Sequence, residues 1–320
     1  MLLAASAALA LALPLAAQET AKPAALAPSE IVAAAPKADW VAIAAEDLLV
    51  MTLAPDADGK PRTVVIQLMP APFSQGWVHN IRLFARSGWY DNISVNRVQD
   101  NYVTQWGDPN YDNPEATGKP KPLPQGLKVM GEAEYLADMT YSAEQPRPIL
   151  PPDTYSSNNS FFGGFPVSGN GAGRMEFWWP THCYGMVGVG RNYSPDTGSG
   201  AELYTVIGHA PRHLDRNIAL VGRVIEGMEH LSSLPRGKGA LGFYTAEEAA
   251  KRTPILSVRV ANDLPMSEQP AFEYLSTESA TFAAYAEAIA NRRDPFFITP
   301  AGGADICNIR VPVRRVVDAG

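Results

Sequence analysis

The chain has 320 residues, 46% of them hydrophobic and 18% charged, a balance that supports a packed core and excludes global disorder. Its formal net charge is −7, and no run of Lys or Arg is longer than a pair, which argues against a nucleic-acid surface. This length suits one large domain with extensions or two small ones.

Residues 2–17 form an uncharged apolar run ending in small residues, with a plausible cut after Ala17. The run is short for a membrane span and reads as a secretory signal, which places the mature protein in a periplasm or outside the cell. No other apolar run is long enough to leave a stable membrane span after cleavage. Residues 18–38 are rich in Ala and Pro and read as a linker. Asp47–Leu53 and Arg62–Leu68 then read as two strands, with turn chemistry between them at Pro55–Gly59. A helix follows: Ser74 suits an N-cap, Trp77, Ile81, Phe84 and Ala85 recur at helical spacing, and Ser87-Gly88 stops it.

The stretch Ile93–Pro109 reads as two short strands around a Gln99-Asp100-Asn101 turn, with Ile93, Val95 and Arg97 on one face at period two. Arg97 is a cation among residues that look like sheet interior. Burying it is costly unless its donors are used, and Gln105 is placed to orient it. Taken alone, the pattern also fits a hairpin whose arginine reaches the rim.

From 110 to 180 the sequence loosens into proline clusters and Gly-rich segments, an insertion long enough to be functional or mobile. Within it, Leu127–Met139 reads as a strand-to-helix segment and Glu176–Trp179 as a strand with its aromatics packed on the barrel. Further on, Val224, Gly227-Met228 and Leu231 suit a second helix, and Pro254–Val260 a closing strand. In the extension 264–320, Phe282, Tyr285, Ala286 and Ile289 share one helical face. Cys307–Val313 reads as an edge strand or extended arm limited by Pro312. Cys183 and Cys307 either pair, closing a long loop worth up to about 4–5 kcal/mol, or remain two thiols.

Val95-Asn96-Arg97-Val98 followed by Tyr102-Val103-Thr104-Gln105-Trp106-Gly107-Asp108 resembles the cyclophilin signature Phe-His-Arg-Val, turn, Phe-Met-x-Gln-Gly-Gly-Asp. Two later blocks agree in order. Cys183–Gly190 with Asp196–Ile207 is similar to the family's Leu-Ser-Met-Ala-Asn-Ala-Gly and Gly-Ser-Gln-Phe-Phe-Ile. His213-Leu214-Asp215 with Ala219–Met228 is similar to Leu-Asp-Gly and Val-Phe-Gly-x-Val-x-x-Gly-Met. The resemblance covers roughly residues 45–262 and implies a mainly β fold over 39–263, a closed antiparallel barrel of eight strands capped by two helices. In the family, the loop that is lengthened here walls one side of the proline pocket.

By resemblance, the activity is peptidyl-prolyl cis-trans isomerisation of proline-containing unfolded or exported polypeptides. No bond breaks in that reaction, so neither metal nor cofactor is required. Arg97 and Gln105 take the catalytic positions, and Tyr102, Val103, Glu202, Tyr204, His213 and Leu214 the substrate-binding ones. Tyr102 and Tyr204 stand where the family has Phe, Glu202 where it has Gln, His213 where it has Trp and Ile218 where it has His. The alternative is a weakly catalytic barrel acting as a peptide-binding or holdase module. A metal or hydrolase reading fails, because Pro211 separates His209 from His213, no carboxylate falls at zinc-ligand spacing, and Gly-x-Ser-x-Gly is absent around Ser199.

Overall fold

The computed structural model describes residues 25–111, 113–140, 146, 149–172 and 175–316; residues 2–17, read as a signal, lie outside them. Helix α1 (Pro28–Ala33) and strand β1 (Trp40–Ala42) precede the barrel, so the stretch read as linker carries a helical turn. Strands β2 (Leu48–Leu53) and β3 (Arg62–Leu68) form the expected hairpin. Their β-branched and aliphatic side chains alternate between two apolar surroundings. Leu49, Met51, Val64 and Ile66 enter the main core, while Leu48 and Val65 meet Ile43 and Phe272 on the outer face.

Helix α2 (Gln75–Arg86) buries Trp77, Val78, Ile81, Phe84 and Ala85, and ends at Ser87 with Gly88 at φ 67, as the sequence predicts. Ser74 does not cap it. Its backbone is left-handed and its side chain makes no capping bond, while the Gln75 amide donates back to the Met69 and Phe73 carbonyls.

Strands β4 (Ile93–Val98) and β5 (Val103–Gly107) form the next hairpin. The insertion follows as β6 (Ala137–Asp138), β7 (Asn158–Phe162), β8 (Phe165–Ala172) and β9 (Met175–Pro180), a separate sheet ordered β6-β9-β8-β7. It buries Phe165, Val167 and Trp178 against the barrel core. Leu127–Met139 is not a strand-to-helix segment. The Glu134 carboxylate accepts from the Gly131 N–H and closes a single 3₁₀ turn, Glu132–Tyr135, before two-residue β6.

Strands β10 (Met186–Val189), β11 (Leu203–Val206), β12 (Leu220–Glu226) and β13 (Pro254–Val260) complete a closed barrel in the order β10-β11-β5-β4-β13-β2-β3-β12, with every pairing antiparallel. The second helix is shorter than expected. Val224 belongs to β12, where the branched run pairs with β3, and only Glu229–Ser232 turns as α3, burying Leu231.

In the extension, β14 (Phe272–Leu275) pairs with β1, and α4 (Ala280–Ala290) is capped by Ser279, whose side chain accepts from the Phe282 N–H. Phe282, Tyr285 and Ala286 form a second core with Trp40 and Leu275, onto which Ile31 and Val32 of α1 pack. Cys307 lies in a 3₁₀ turn, Ile306–Asn308, started by the Asp305 side chain; edge strand β15 (Val313–Arg315) begins only after Pro312. Cys183 and Cys307 are paired. No helix among the described residues is long and apolar enough to cross a membrane.

Candidate active site

The register sets the site. Arg97 on β4 lies opposite Gln105 on β5, Gln105 opposite Tyr204 on β11, and Tyr204 opposite Gly188 on β10. Four strands therefore place these residues in one row across the barrel wall. The expected period-two face through Arg97 does not exist, because the register shifts between Val95 and Arg97. Asn96, fully buried, fills the bulge: its amide donates to the Gly107 carbonyl at 3.1 Å and accepts from the Ser94 hydroxyl at 2.7 Å. The bulge leaves Ile93, Val95 and Val98 in the core and turns Arg97 outward.

Arg97 is held on several sides. Its Nε–H donates to the Leu241 carbonyl at 2.6 Å, Nη1 to Gln105 Oε1 at 3.0 Å, and Nη2 to Gln99 Oε1. The guanidinium carbon stands 5.7 Å from the Tyr102 ring centroid and 5.5 Å from that of Phe243. Among the described residues, three of the five donors of an arginine are thus used and two remain. Burial lowers the guanidinium pKa, opposed by the Tyr102 and Tyr204 hydroxyls. The Gln105 amide has a single sensible orientation. Its Nε2–H donates to the Glu202 carboxylate at 3.0 Å, which can only accept, and its oxygen faces a guanidinium, which can only donate. Glu202 is buried in a slot made by Gly107 and Gly190, where a Cβ would meet Glu202 atoms at 2.0 Å and 2.8 Å respectively.

A pocket of about 200 Å³ opens beside Arg97, lined by Tyr102, Val103, Gln105, Glu202, Tyr204 and Leu214 among others. Val103 and Tyr204 make an apolar floor separate from the barrel core, with Tyr102 and Ile218 against it. His213 does not line the pocket. It is exposed at the rim with its ring parallel to Tyr102 at 6.3 Å, because the 3₁₀ turn Arg212–Leu214 buries Arg212 and turns His213 out. No described residue of the insertion lines the pocket either. Leu241 and Phe243, with Gly190 and Arg191, supply walls that the sequence reading missed. Leu241 is left-handed at φ 54, and its carbonyl receives Arg97.

The family model for cyclophilin type peptidyl-prolyl cis-trans isomerase/CLD matches residues 63–260, well over half of the chain. The chain belongs to that family. It is a peptidyl-prolyl cis-trans isomerase, and no curated protein matches it. Among solved structures, the cyclophilin AquaCyp293 from Hirschia baltica superposes with a TM-score of 0.64 at 19% identity, over 88% of this chain and 95% of that one. A cyclophilin type isomerase from Cryptosporidium parvum gives 0.40 at 14% identity, over 67% and 96%.

Behind the pocket floor this cyclophilin carries a buried polar chain that the sequence did not reveal. The Tyr204 hydroxyl lies 2.9 Å from His182 Nε2, and His182 Nδ1 lies 2.8 Å from Asp215 Oδ1. The Asp215 carboxylate accepts, so His182 carries a proton on Nδ1, and its Nε2 pairs with the Tyr204 hydroxyl. Arg212 closes the chain, donating from Nε to Asp215 at 2.7 Å, from Nη1 to Asp153 at 3.0 Å and from Nη2 to Ser168 at 3.0 Å. Asp153 and Ser168 belong to the insertion, so it meets the site through this chain and not as a wall. Burial pushes the Tyr204 phenol well above its ordinary pKa. Gly188 is required there, since a Cβ would lie 2.3 Å from the Tyr204 hydroxyl.

Proposed function

We propose that Arg97 accelerates rotation about the Xaa-Pro bond by donating to the prolyl nitrogen as amide resonance is lost. The planar bond resists rotation with a barrier of about 18–20 kcal/mol, and its nitrogen is a poor acceptor until the bond twists. A donor aimed at that nitrogen binds the twisted state more strongly than either planar form, which lowers the barrier. The observation that carries this reading is the fixed guanidinium at the pocket, with three donors committed to Leu241, Gln99 and Gln105 and two unspent among the described residues. Gln105, itself held by Glu202, positions Arg97. Val103, Tyr204, Tyr102 and Leu214 receive the prolyl ring, and His213 stays at the rim.

The polypeptides acted on are exported ones. The apolar run at residues 2–17 and the Cys183–Cys307 disulfide support a periplasmic or secreted setting. In a protease-free assay of a Xaa-Pro peptide, Arg97→Ala is expected to lower kcat/KM by about 10²–10³, the range for losing one preorganised donor. Arg97→Lys recovers part of that, since an ammonium lacks the planar fork. Full activity in Arg97→Ala overturns the assignment; peptide binding without catalysis by the wild type favours a binding barrel instead.

A further inference from the structure

A second arginine leaves the barrel wall at Arg223 on β12. The insertion and the C-terminal extension roof this position, and Arg223 is only 8% exposed. Phe165 of β8 lies against it, its ring centroid 4.8 Å from the guanidinium carbon. One of its five donors is bonded among the described residues, Nε–H to Gln67 Oε1 at 2.9 Å, while the buried Nη2 has no partner. No described carboxylate pairs with it. Burial lowers its pKa to about 10, opposed only by the Tyr274 hydroxyl. A cation removed from water without a counter-charge is costly, and an anion placed against it recovers much of that cost.

Arg223 lines a cavity of about 440 Å³ between the barrel and the extension, bounded on one side by the Cys183–Cys307 disulfide. The volume falls in the range of small-ligand sites. Met186, Val224 and Met228 form the barrel wall, and Ile306, Ile309 and Val311 the wall of the extension. Two carboxylates also line it. Glu226 is bound by Arg315, and the Glu229 side chain is 73% exposed, so neither offsets the charge of Arg223. Arg310, exposed and stacked over Tyr184 at 4.9 Å, adds a second cation to the lining. The cavity shares no lining residue with the Arg97 pocket.

We propose that this cavity binds a monocarboxylate with an apolar body, its carboxylate on Arg223 and its hydrocarbon against the Met, Val and Ile walls. The same chemistry is offered by a free aliphatic acid and by the C-terminal carboxylate of a polypeptide. Calorimetry on the full chain with octanoate against octanamide, and with an acetylated tripeptide acid ending in Leu against its amide, separates the two. The wild type is expected to bind at least one acid about tenfold or more above its amide, as a charge-assisted hydrogen bond allows; the acid that does so names the source. Arg223→Met loses that preference, melts no lower than the wild type, and keeps Xaa-Pro isomerase activity within about twofold, because it replaces a buried charge by an apolar chain of similar length. Ile309→Trp fills the cavity and abolishes binding with Arg223 in place. Absence of binding by both acids, which would leave Arg223 hydrated only, overturns the proposal. So does equal affinity for acid and amide, or a preference retained in Arg223→Met. Should Arg223→Met fail to fold, retained acid binding in Ile309→Trp overturns it.

Discussion

The two walls of the proline pocket are built differently. The β4–β5 wall carries Arg97 and Gln105, held by hydrogen bonds within one hairpin, by the carbonyl of Leu241 and by the Glu202 carboxylate, with Arg97 half-exposed to the pocket. The β10–β11–β12 wall presents the ring of Tyr204, flanked by Glu202, Leu214 and Ile218 from the connecting segments, and behind it His182, Asp215 and Arg212 are sealed from solvent, at 0%, 3% and 4% exposure. The contrast separates roles: the first wall supplies the donor and the second fixes the surface against which the ring turns. Buried polar groups that are fully satisfied make a rigid support, and breaking one is costly.

The largest expected effect comes from breaking the buried wall. Arg212→Met strips Asp215 and Asp153 of their cation and is expected to destabilise the protein by roughly 3–5 kcal/mol, read by chemical denaturation. A loss below about 1 kcal/mol would mean that the chain behind Tyr204 is not a structural support. Reduction of Cys183–Cys307, whose partners lie 124 residues apart, comes next at about 2–4 kcal/mol. Because Cys183 follows His182 directly, the same sample tests coupling: isomerase activity should survive reduction while the melting temperature falls.

Tyr204→Phe installs the side chain that the family carries, yet leaves His182 Nε2 without its partner, for a cost of about 1–3 kcal/mol. Adding His182→Leu removes the orphaned group and should return part of the loss, a non-additivity that a double-mutant cycle measures. The smallest effect concerns the other wall. Asp91, just before β4, is bonded by Arg259 at 2.6 and 2.8 Å, which lowers its pKa despite burial. A depressed carboxylate contributes stability above its unfolded pKa and loses it as pH falls through the folded value. The melting difference between wild type and Asp91→Asn should therefore shrink as pH falls below about 4, the ordinary range of an unfolded Asp; a constant difference would argue against this pair.

The same contrast explains what the sequence revealed. Arg97, Gln105 and Gly107-Asp108 are eight to eleven residues apart on one hairpin, so linear spacing carries their geometry. The ordered blocks also located Tyr204 and the barrel strands. His182 lies 22 residues from Tyr204 and 33 from Asp215, and Leu241 lies 144 from Arg97, distances over which no local pattern speaks. Asp215 was visible in His213-Leu214-Asp215, but its partner was not. Val224, Met228 and Leu231 fitted a helical period, and only pairing with β3 shows that Val224 is strand. His213 inherited a binding position by alignment, whereas burial of its neighbour Arg212 turns it to the rim.

The division of labour is tested most directly by separate kcat and KM values for Arg97→Ala and His182→Leu on one Xaa-Pro peptide. Loss of a donor used only in the twisted state lowers kcat and leaves KM nearly alone, whereas loosening the Tyr204 ring weakens ground and twisted states alike and raises KM. The expected result is a fall in kcat of about 10²–10³ with KM within about threefold for Arg97→Ala, and the reverse split, kcat within about threefold with KM raised, for His182→Leu. Equal losses of kcat in both variants, or an unchanged kcat in Arg97→Ala with a normal melting curve, would contradict it.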